Sequence, residues 1–243
     1  MCGRFASFLP PEAMRTLFRT TNPILNHAAS WNVAPTQPAM VVRRHPATGE
    51  RHLDLLDWGL VPHFTTDVKA ALKPINARSE TAATTGLFRG ALKARRCLIP
   101  ADAFYEWRAM SDGRQPYAIA RRDGAPLVFA GLWEGWRAPG GETLRTFAVL
   151  TTRANATLSA LHERMPVVLE PEDWPVWLGE ADGDRGTLMR PAPDQTLRLW
   201  PVSRAVNNVR NNGAGLLDRI DDPAAPPPPI LPPTDAPAGD NSA

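Results

Sequence analysis

The clearest indication of the fold is PLVFAGLWEGWRAPGGETLRTFAVLTTR, residues 126 to 153. It holds two apolar segments, 126 to 136 and 145 to 152, rich in Val, Leu, Phe and Trp and separated by Pro and Gly. Short apolar runs bounded by chain-breaking residues are typical of buried β-strands. The stretch therefore predicts two strands, and the same pattern recurs along the chain.

Strands dominate the rest of the chain. Further strands are predicted at 38 to 44, 53 to 61, 96 to 100, 103 to 108, 116 to 121, 165 to 169 and 197 to 202. Short helices are predicted after Pro11, at 155 to 163 and at 171 to 178, where Gly179 ends the last one. Because strands and helices do not alternate regularly, a doubly wound parallel sheet is disfavoured. We predict an α+β fold: a single mixed domain built on a curled, mainly antiparallel barrel-like sheet with a few short helices.

The end of the 243-residue chain differs from the rest. From residue 223 onward it has eight prolines in 21 residues and no periodic apolar face, which favours a disordered or polyproline segment. No repeat or linker precedes it. We expect residues 1 to 220 to form one domain and residues 221 to 243 to form a Pro-rich disordered tail.

The net charge also differs between residues 1 to 220 and the last 23 residues. The whole chain has a formal net charge of +2, but its last 23 residues carry four Asp and no base, so residues 1 to 220 stand at +6. Of the 27 basic residues, 24 are Arg, whose planar guanidinium suits phosphate binding. An Arg-rich genome composition gives the same count, so both explanations stay open.

Composition excludes several classes of protein. Hydrophobic content is 43%, and no run of 18 apolar residues is present to span a bilayer. The first residues lack the apolar core of a secretory signal, so we expect a cytoplasmic, nucleoid-associated protein with no membrane contact. Cys2 and Cys97 are expected to be free thiols. Because CxxC and HExxH spacings are absent from the sequence, neither a metal ion nor another cofactor is expected.

Cys2 directly follows the initiator methionine. Methionine is normally removed before a small residue, which would leave a free amine beside a thiol. Such an amine attacks an aldehyde to give a Schiff base, and the thiol then closes a five-membered thiazolidine. The α-amine has a pKa of about 7.7 to 8.0, so a useful fraction is neutral at physiological pH. The alternative is a chance cysteine at the second position.

Three other segments place polar side chains in unusual settings. INARSET at 75 to 81 has no strand or helix pattern and is interpreted as a site loop. FYEW at 104 to 107 sets Glu106 among aromatic residues, where partial burial would raise its pKa toward the range useful for acid-base catalysis; a solvent-facing strand residue is the alternative. His162 lies at a predicted helix end, where it would either relay protons or cap the helix.

Seven blocks of the sequence together resemble the SRAP family, the SOS-response-associated peptidases understood as abasic-site processing proteins. They are MCGRF at 1 to 5, WNVAPTQ at 31 to 37, WGLVP at 58 to 62, INARSET, FYEW, HERMPVVL at 162 to 169 and PVSRAVNNVRNNG at 201 to 213. They occur in the family's order across nearly the whole domain. The resemblance implies a mixed α/β domain around a barrel-like sheet, in agreement with the predicted fold.

The resemblance also implies roles for individual residues. Cys2 would be the nucleophile that forms a thiazolidine with the ring-opened sugar aldehyde. Asn76 would hold the thiol and the sugar, Glu106 would be the acid-base catalyst, and His162 would relay protons during Schiff-base formation and reversal.

A second set of residues would contact DNA. Arg4 and Arg78 would clamp the phosphates that flank the lesion, with Arg164 assisting and Thr151 adding a hydroxyl contact. After WGLVP many family members have a tryptophan-containing segment that stacks on bases, whereas this chain has Phe64 in that segment. Phe64 can still stack, with less overlap, and stacking is worth roughly 1 to 3 kcal/mol per base.

The implied partner is single-stranded DNA that contains abasic sites, bound by a monomer acting with replication-fork proteins. Two other functions stay open. One is a cysteine peptidase that uses Cys2 as an amino-terminal nucleophile, with AP-lyase activity as a further possibility for the same site. The other is a non-covalent reader of modified bases in DNA.

Overall fold

A computed structural model describes residues 2–221 of the chain, so all of the predicted tail except its first residue lies outside the described residues. The strands of this range are β1 (Phe5–Ser7), β2 (Ser30–Val33), β3 (Pro38–Arg44), β4 (Arg51–Trp58), β5 (Asn76–Arg78), β6 (Arg96–Ala101), β7 (Ala103–Met110), β8 (Gly113–Arg121), β9 (Leu127–Arg137), β10 (Thr143–Arg153), β11 (Arg164–Pro166) and β12 (Leu197–Pro201). Its α-helices are α1 (Pro11–Phe18), α2 (Gly86–Ala94), α3 (Ala156–Ser159), α4 (Trp174–Leu178) and α5 (Arg185–Leu188).

Strands β10, β4, β3, β6 and β9 pair in that order, and β9 pairs back onto β10. The ring is therefore a closed barrel, in which every strand has a neighbour on both sides. Its pairs are antiparallel apart from β4 with β10, which is parallel. The stretch from 126 to 153 supplies both β9 and β10, and the predicted α+β fold with a mainly antiparallel barrel is confirmed.

A second sheet, in the order β12, β8, β7, β1, β2, packs against the barrel. Aromatic rings fill the interface: Phe129 of β9 meets Phe5 of β1 at 6.3 Å and Phe104 of β7 at 5.8 Å between ring centroids, both edge to face. Cys2 is buried in the same apolar cluster. The amino terminus therefore enters the layer between the two sheets.

The other face of the barrel is covered by helices. In β10, Phe147 and Val149 belong to the cluster shared with the second sheet, whereas Ala148 and Leu150 belong to a cluster with α1, α2 and α4. This alternation follows from the two-residue period of a strand. Both faces of these strands are apolar because one is covered by the second sheet and the other by helices. This explains why the strands are nearly continuous apolar runs in the sequence.

Several sequence predictions need correction. INARSET is not entirely a loop, because Asn76–Arg78 forms β5 and pairs in parallel with β10. Strands β1 and β2, of 3 and 4 residues, and helix α2 were not predicted; the first two are too short to show a period. The helix predicted at 155 to 163 is only α3, which begins after Asn155, whose side chain caps the Leu158 amide at 3.0 Å.

Cys97 has a packing role in the barrel wall. A Cβ atom built on Gly131 of β9 would lie 2.7 Å from Cys97 Sγ and 2.6 Å from Ile99 Cδ1, so only glycine fits there. Cys97 and Cys2 are both free and buried. Among residues 2–221, no helix is long and apolar enough to cross a membrane.

Candidate active site around Cys2

Strand pairing brings Cys2 to Glu106. Strand β1 runs antiparallel to β7. Arg4 directly precedes β1, and its carbonyl accepts a hydrogen bond from the Tyr105 amide of β7 at 3.0 Å. The same register continued outward places Gly3 opposite Glu106. The blocks MCGRF and FYEW are therefore neighbours in one sheet, although about a hundred residues separate them in the chain.

The surroundings of Cys2 keep its thiol protonated. Burial raises the pKa of the Cys2 thiol above its usual value, and the negative charge of the nearby Glu106 carboxylate raises it further. Both side chains are buried, Cys2 at 0% exposure and Glu106 at 3%. The charge of the amino terminus partly opposes these effects, and the thiol is favoured in its neutral form at physiological pH.

Asn76 contacts the same segment from the barrel. In β5 it pairs with Val149 of β10, and its Nδ2 donates a hydrogen bond to the Cys2 carbonyl at 2.9 Å. Its Oδ1 is buried and accepts no hydrogen bond from any described residue. A buried acceptor of this kind costs free energy unless a group such as a substrate hydroxyl satisfies it.

The WGLVP block sets the position of Asn76. Trp58 Nε1 donates to the Ile75 carbonyl at 2.9 Å, and the Leu60 amide donates to the Pro74 carbonyl at 3.0 Å. Between them Gly59 has a φ of +132°, and a Cβ there would lie 3.3 Å from the Lys73 carbonyl oxygen. This turn fixes the segment that leads into β5.

His162 lies beyond α3 rather than at its end. Its backbone amide donates to the Leu158 carbonyl at 3.0 Å, and its Nδ1 accepts from the Arg164 amide at 2.9 Å. In the neutral ring the proton is therefore on Nε2. The preceding Leu161 packs against the apolar cluster that contains Cys2, so His162 lies on a segment that borders this cluster.

Arg164 and Thr151 are engaged inside the protein. Arg164 is 8% exposed; its Nη1 and Nη2 donate to the two Glu80 carboxylate oxygens at 2.7 and 2.8 Å, and Nη2 also donates to the Thr151 carbonyl at 2.7 Å. Thr151 has no exposed surface, and its hydroxyl donates to the Ala77 carbonyl at 3.3 Å. Thr151 is fully buried and Arg164 is nearly so, and the DNA contacts predicted for them remain predictions.

Arg4 is also held by protein groups. Its Nη1 donates to Asn32 Oδ1 and to the Val206 carbonyl, each at 2.8 Å, and its guanidinium lies 6.0 Å from the Trp107 ring centroid. Burial lowers the pKa of Arg4, and the nearby Tyr105 partly opposes this effect. Both hydrogen bonds use Nη1, so a phosphate contact would use the other guanidinium nitrogens of Arg4.

Unlike Arg4, the side chains of Arg78 and Phe64 are exposed. Arg78 ends β5 and is exposed, two residues beyond Asn76 on the same strand. Phe64 is 60% exposed, and its ring meets His63 edge to face at 5.3 Å. Both side chains are available to an external ligand.

Asn32 was not singled out from the sequence. This residue of β2 is 2% exposed and its Nδ2 donates to the carbonyls of Val206, Asn208 and Asn211 at 3.3, 3.1 and 2.8 Å. It ties the block at 201 to 213 to the sheet that carries Cys2. The sequence shows two Asn-containing blocks, WNVAPTQ and PVSRAVNNVRNNG, but does not show that they are in contact. The role of Asn32 follows only from that contact.

Comparison with known proteins identifies the family of the chain. The family model described as "SOS response associated peptidase (SRAP)" matches residues 1–209. The chain belongs to the SRAP family. It is 34% identical over 224 residues to the abasic site processing protein YoqW of Bacillus subtilis, covering 90% of this chain and 99% of that protein. To the abasic site processing protein YedK of Escherichia coli it is 32% identical over 235 residues, covering 90% and 100%.

The SRAP fold is also present in solved structures. A crystal structure of a Bacteroides thetaiotaomicron protein superposes with a TM-score of 0.80 at 18% identity, covering 90% of this chain and all of that one. The resemblance predicted from the seven blocks is thus confirmed. In this SRAP chain the blocks that contain Cys2, Asn76 and Glu106 meet at the contact between barrel and second sheet.

Proposed function

We propose that this protein processes abasic sites in single-stranded DNA by forming a covalent thiazolidine through Cys2 once Met1 has been removed. The observation that supports it most directly is the position of Cys2 near two polar side chains that lie far away in the sequence. Asn76 Nδ2 is 2.9 Å from the Cys2 carbonyl, and the Glu106 carboxylate is close enough to raise the pKa of the Cys2 thiol. Both curated relatives described above carry the name abasic site processing protein.

The reaction proceeds in two bond-forming stages. The α-amine of Cys2 attacks C1′ of the ring-opened sugar, and loss of the hydroxyl as water gives a Schiff base. The thiol sulfur then adds to the same carbon and its proton passes to the nitrogen, which closes the thiazolidine. A thiol kept neutral by burial suits this order, because the amine reacts first and the sulfur only closes the ring.

Each neighbouring side chain has a place in this scheme. Glu106 moves protons during ring opening and departure of the hydroxyl. Asn76 holds the backbone of Cys2, and its buried Oδ1 accepts a hydrogen bond from the sugar. His162, whose Nδ1 is held by the Arg164 amide, presents Nε2 for proton relay in formation and reversal of the link.

DNA is bound without reading a base. Arg78, which is exposed beside Asn76, contacts a phosphate, Arg4 assists, and Phe64 stacks on a neighbouring base. The abasic position has no hydrogen-bonding edge, so sequence preference is weak.

The first prediction concerns Cys2→Ala. This variant keeps an amine for Schiff-base formation but lacks the sulfur. Incubated with an oligonucleotide that has one abasic site, wild-type protein is expected to give an adduct that survives a denaturing gel. Cys2→Ala is expected to give one only when a borohydride reductant traps the Schiff base.

Cys97→Ala is the matched control, because Cys97 is the other buried thiol and lies in the barrel wall. It should crosslink as wild type does, and mass spectrometry should show loss of Met1 in all three proteins. A stable adduct of Cys2→Ala without reductant would exclude the thiazolidine. Unchanged, purely non-covalent binding by wild type and Cys2→Ala would instead favour a reader of modified DNA.

A further inference from the structure

A cavity of about 410 Å³ lies at the end of the barrel where β10 begins. Its lining includes Arg43, His45, His63, Arg95, Glu134 and Arg145. Arg145 precedes Val149, the partner of Asn76, by four residues on β10. At a rise of roughly 3.3 Å per residue, this is on the order of 13 Å along the strand, so the cavity is separate from the Cys2 site.

The lining carries more positive than negative charge. Glu134 is 2% exposed and its carboxylate binds Arg95 Nη2 at 2.6 Å and His63 Nδ1 at 3.3 Å. Arg43 pairs with Asp54 at 2.6 Å. Arg145 forms no ion pair with any residue of the described range 2–221. The Arg145 guanidinium therefore lines the cavity without a counter-ion from the described residues.

Two of the cationic groups, Arg43 and Arg95, are held in place before any ligand arrives. The Arg43 guanidinium lies 4.7 Å from the centroid of the Trp133 ring, and the like charge of Arg145 is close enough to lower the pKa of Arg43, after the larger effect of burial. Arg95 Nε is buried and donates to no described residue. Fixed cations with unused donors lose little entropy when an anion binds.

We propose that this cavity binds a phosphate monoester of about the size of a mononucleotide. Guanidinium groups match phosphate oxygens in two-point hydrogen bonds, and three of them line one cavity. A volume of about 410 Å³ falls within the range of about 300 to 1,000 Å³ that small-molecule sites occupy. Buried Glu134 orients His63 and Arg95 toward a shared ligand.

The test is titration calorimetry with deoxyadenosine 5′-monophosphate as the probe. Arg145→Ala is expected to weaken binding about tenfold or more, since it removes a charge-assisted contact from an exposed side chain. Arg137→Ala is the matched control, because Arg137 is exposed on the adjoining strand β9 and does not line the cavity. Both variants should form the abasic-site adduct as wild type does, which separates this proposal from the one for Cys2.

Three results would overturn the proposal: no binding of the probe by wild type, equal loss in both variants, or equal affinity for deoxyadenosine, which lacks the phosphate. The source of the phosphate is decided by comparing the free nucleotide with single-stranded oligonucleotides that have a 5′-phosphate or a 5′-hydroxyl. Stronger binding of the phosphorylated oligonucleotide identifies a DNA end, and stronger binding of the nucleotide identifies a metabolite. Either preference upholds the phosphate site.

Discussion

Cys2 has a buried thiol close to the buried Glu106 carboxylate, whose negative charge makes the thiol harder to ionise. Burial and the Glu106 charge both raise the pKa of the Cys2 thiol, so the residue is a poor nucleophile through sulfur alone. This is the reverse of the usual design of a cysteine peptidase, in which a nearby cation lowers the thiol pKa. This environment agrees with the proposed reaction, which begins at the amine.

Asn76 provides the second prediction. Asn76→Ala removes the hydrogen bond to the Cys2 carbonyl, and we expect the rate of adduct formation to fall about tenfold or more because the amine and sulfur lose their orientation. The free energy of unfolding should drop by about 1 kcal/mol. Single-turnover gel assays and urea denaturation measure the two effects.

Asn22→Ala is the control for this variant. Asn22 exchanges two hydrogen bonds with the Leu53 backbone, at 2.9 and 2.8 Å, and has no contact with the Cys2 segment. It should lose similar stability and keep the wild-type rate of adduct formation. Equal rates for the two variants would remove Asn76 from the proposed mechanism.

At the scale of elements, short strands do most of the positioning. Strands β1 and β5 have three residues each, yet they bring Cys2 and Asn76 into contact because both pair with long strands, β7 and β10. A three-residue strand has no periodicity that a sequence pattern can detect. The side chains were recognisable from the sequence, but the strands that hold them were not.

The turn at Gly59 yields the third prediction. A φ of +132° is accessible to glycine alone, so Gly59→Ala should lower the free energy of unfolding by about 1 to 3 kcal/mol and slow adduct formation by displacing β5. Gly86→Ala is the control, because a Cβ there meets nothing within 4 Å and the residue begins α2. Urea denaturation compares them, and equal stability would show that the turn adapts.

The contact of β11 with the INARSET segment provides the fourth prediction. Hydrogen bonds from Arg164 lower the pKa of Glu80 to about 2. Because the folded-state pKa is below the usual 4.5, the stabilisation is complete above about pH 4.5 and is lost as the pH falls toward 2.

Glu80→Gln tests this pH dependence. The Glu80 side chain is 42% exposed, so solvent screening limits its stabilisation to about 1 kcal/mol. Wild type should therefore be more stable than Glu80→Gln at pH 6, and the difference should shrink as the pH falls from 4.5 toward 2. Urea denaturation across this range measures it, and a difference independent of pH would argue against the ion pair.

At the scale of the whole molecule, the net charge does not show how much positive charge is available to bind DNA. Residues 1 to 220 carry +6, but many arginines are used within the protein: Arg164 binds Glu80, Arg43 binds Asp54, and Arg51 binds Glu180. Positive charge that is paired internally adds little to DNA affinity. We therefore expect exposed arginines such as Arg78 to contribute most to DNA binding.

The fifth prediction concerns the salt dependence of DNA binding. Arg78→Ala should reduce the slope of log K against log salt by about 0.7 to 1 for single-stranded DNA, since one phosphate contact is lost. Arg15→Ala, on the exposed side of α1, removes the same charge elsewhere and should leave the slope unchanged. Fluorescence anisotropy at several salt concentrations measures both, and matching slopes would show that Arg78 does not contact phosphate.

The strand-rich α+β class, the SRAP family and the side chains near Cys2 could all be predicted from the amino-acid sequence. These depend on residue types and local order, which a sequence displays directly. Only the tertiary structure decided that β9 closes the barrel onto β10, that Asn76 contacts the Cys2 backbone, and that Arg164 turns inward to Glu80, 84 residues away. Whether a side chain contacts solvent, DNA or another residue depends on what the folded chain places beside it. Contacts between residues far apart in the sequence leave no local pattern from which they could be predicted.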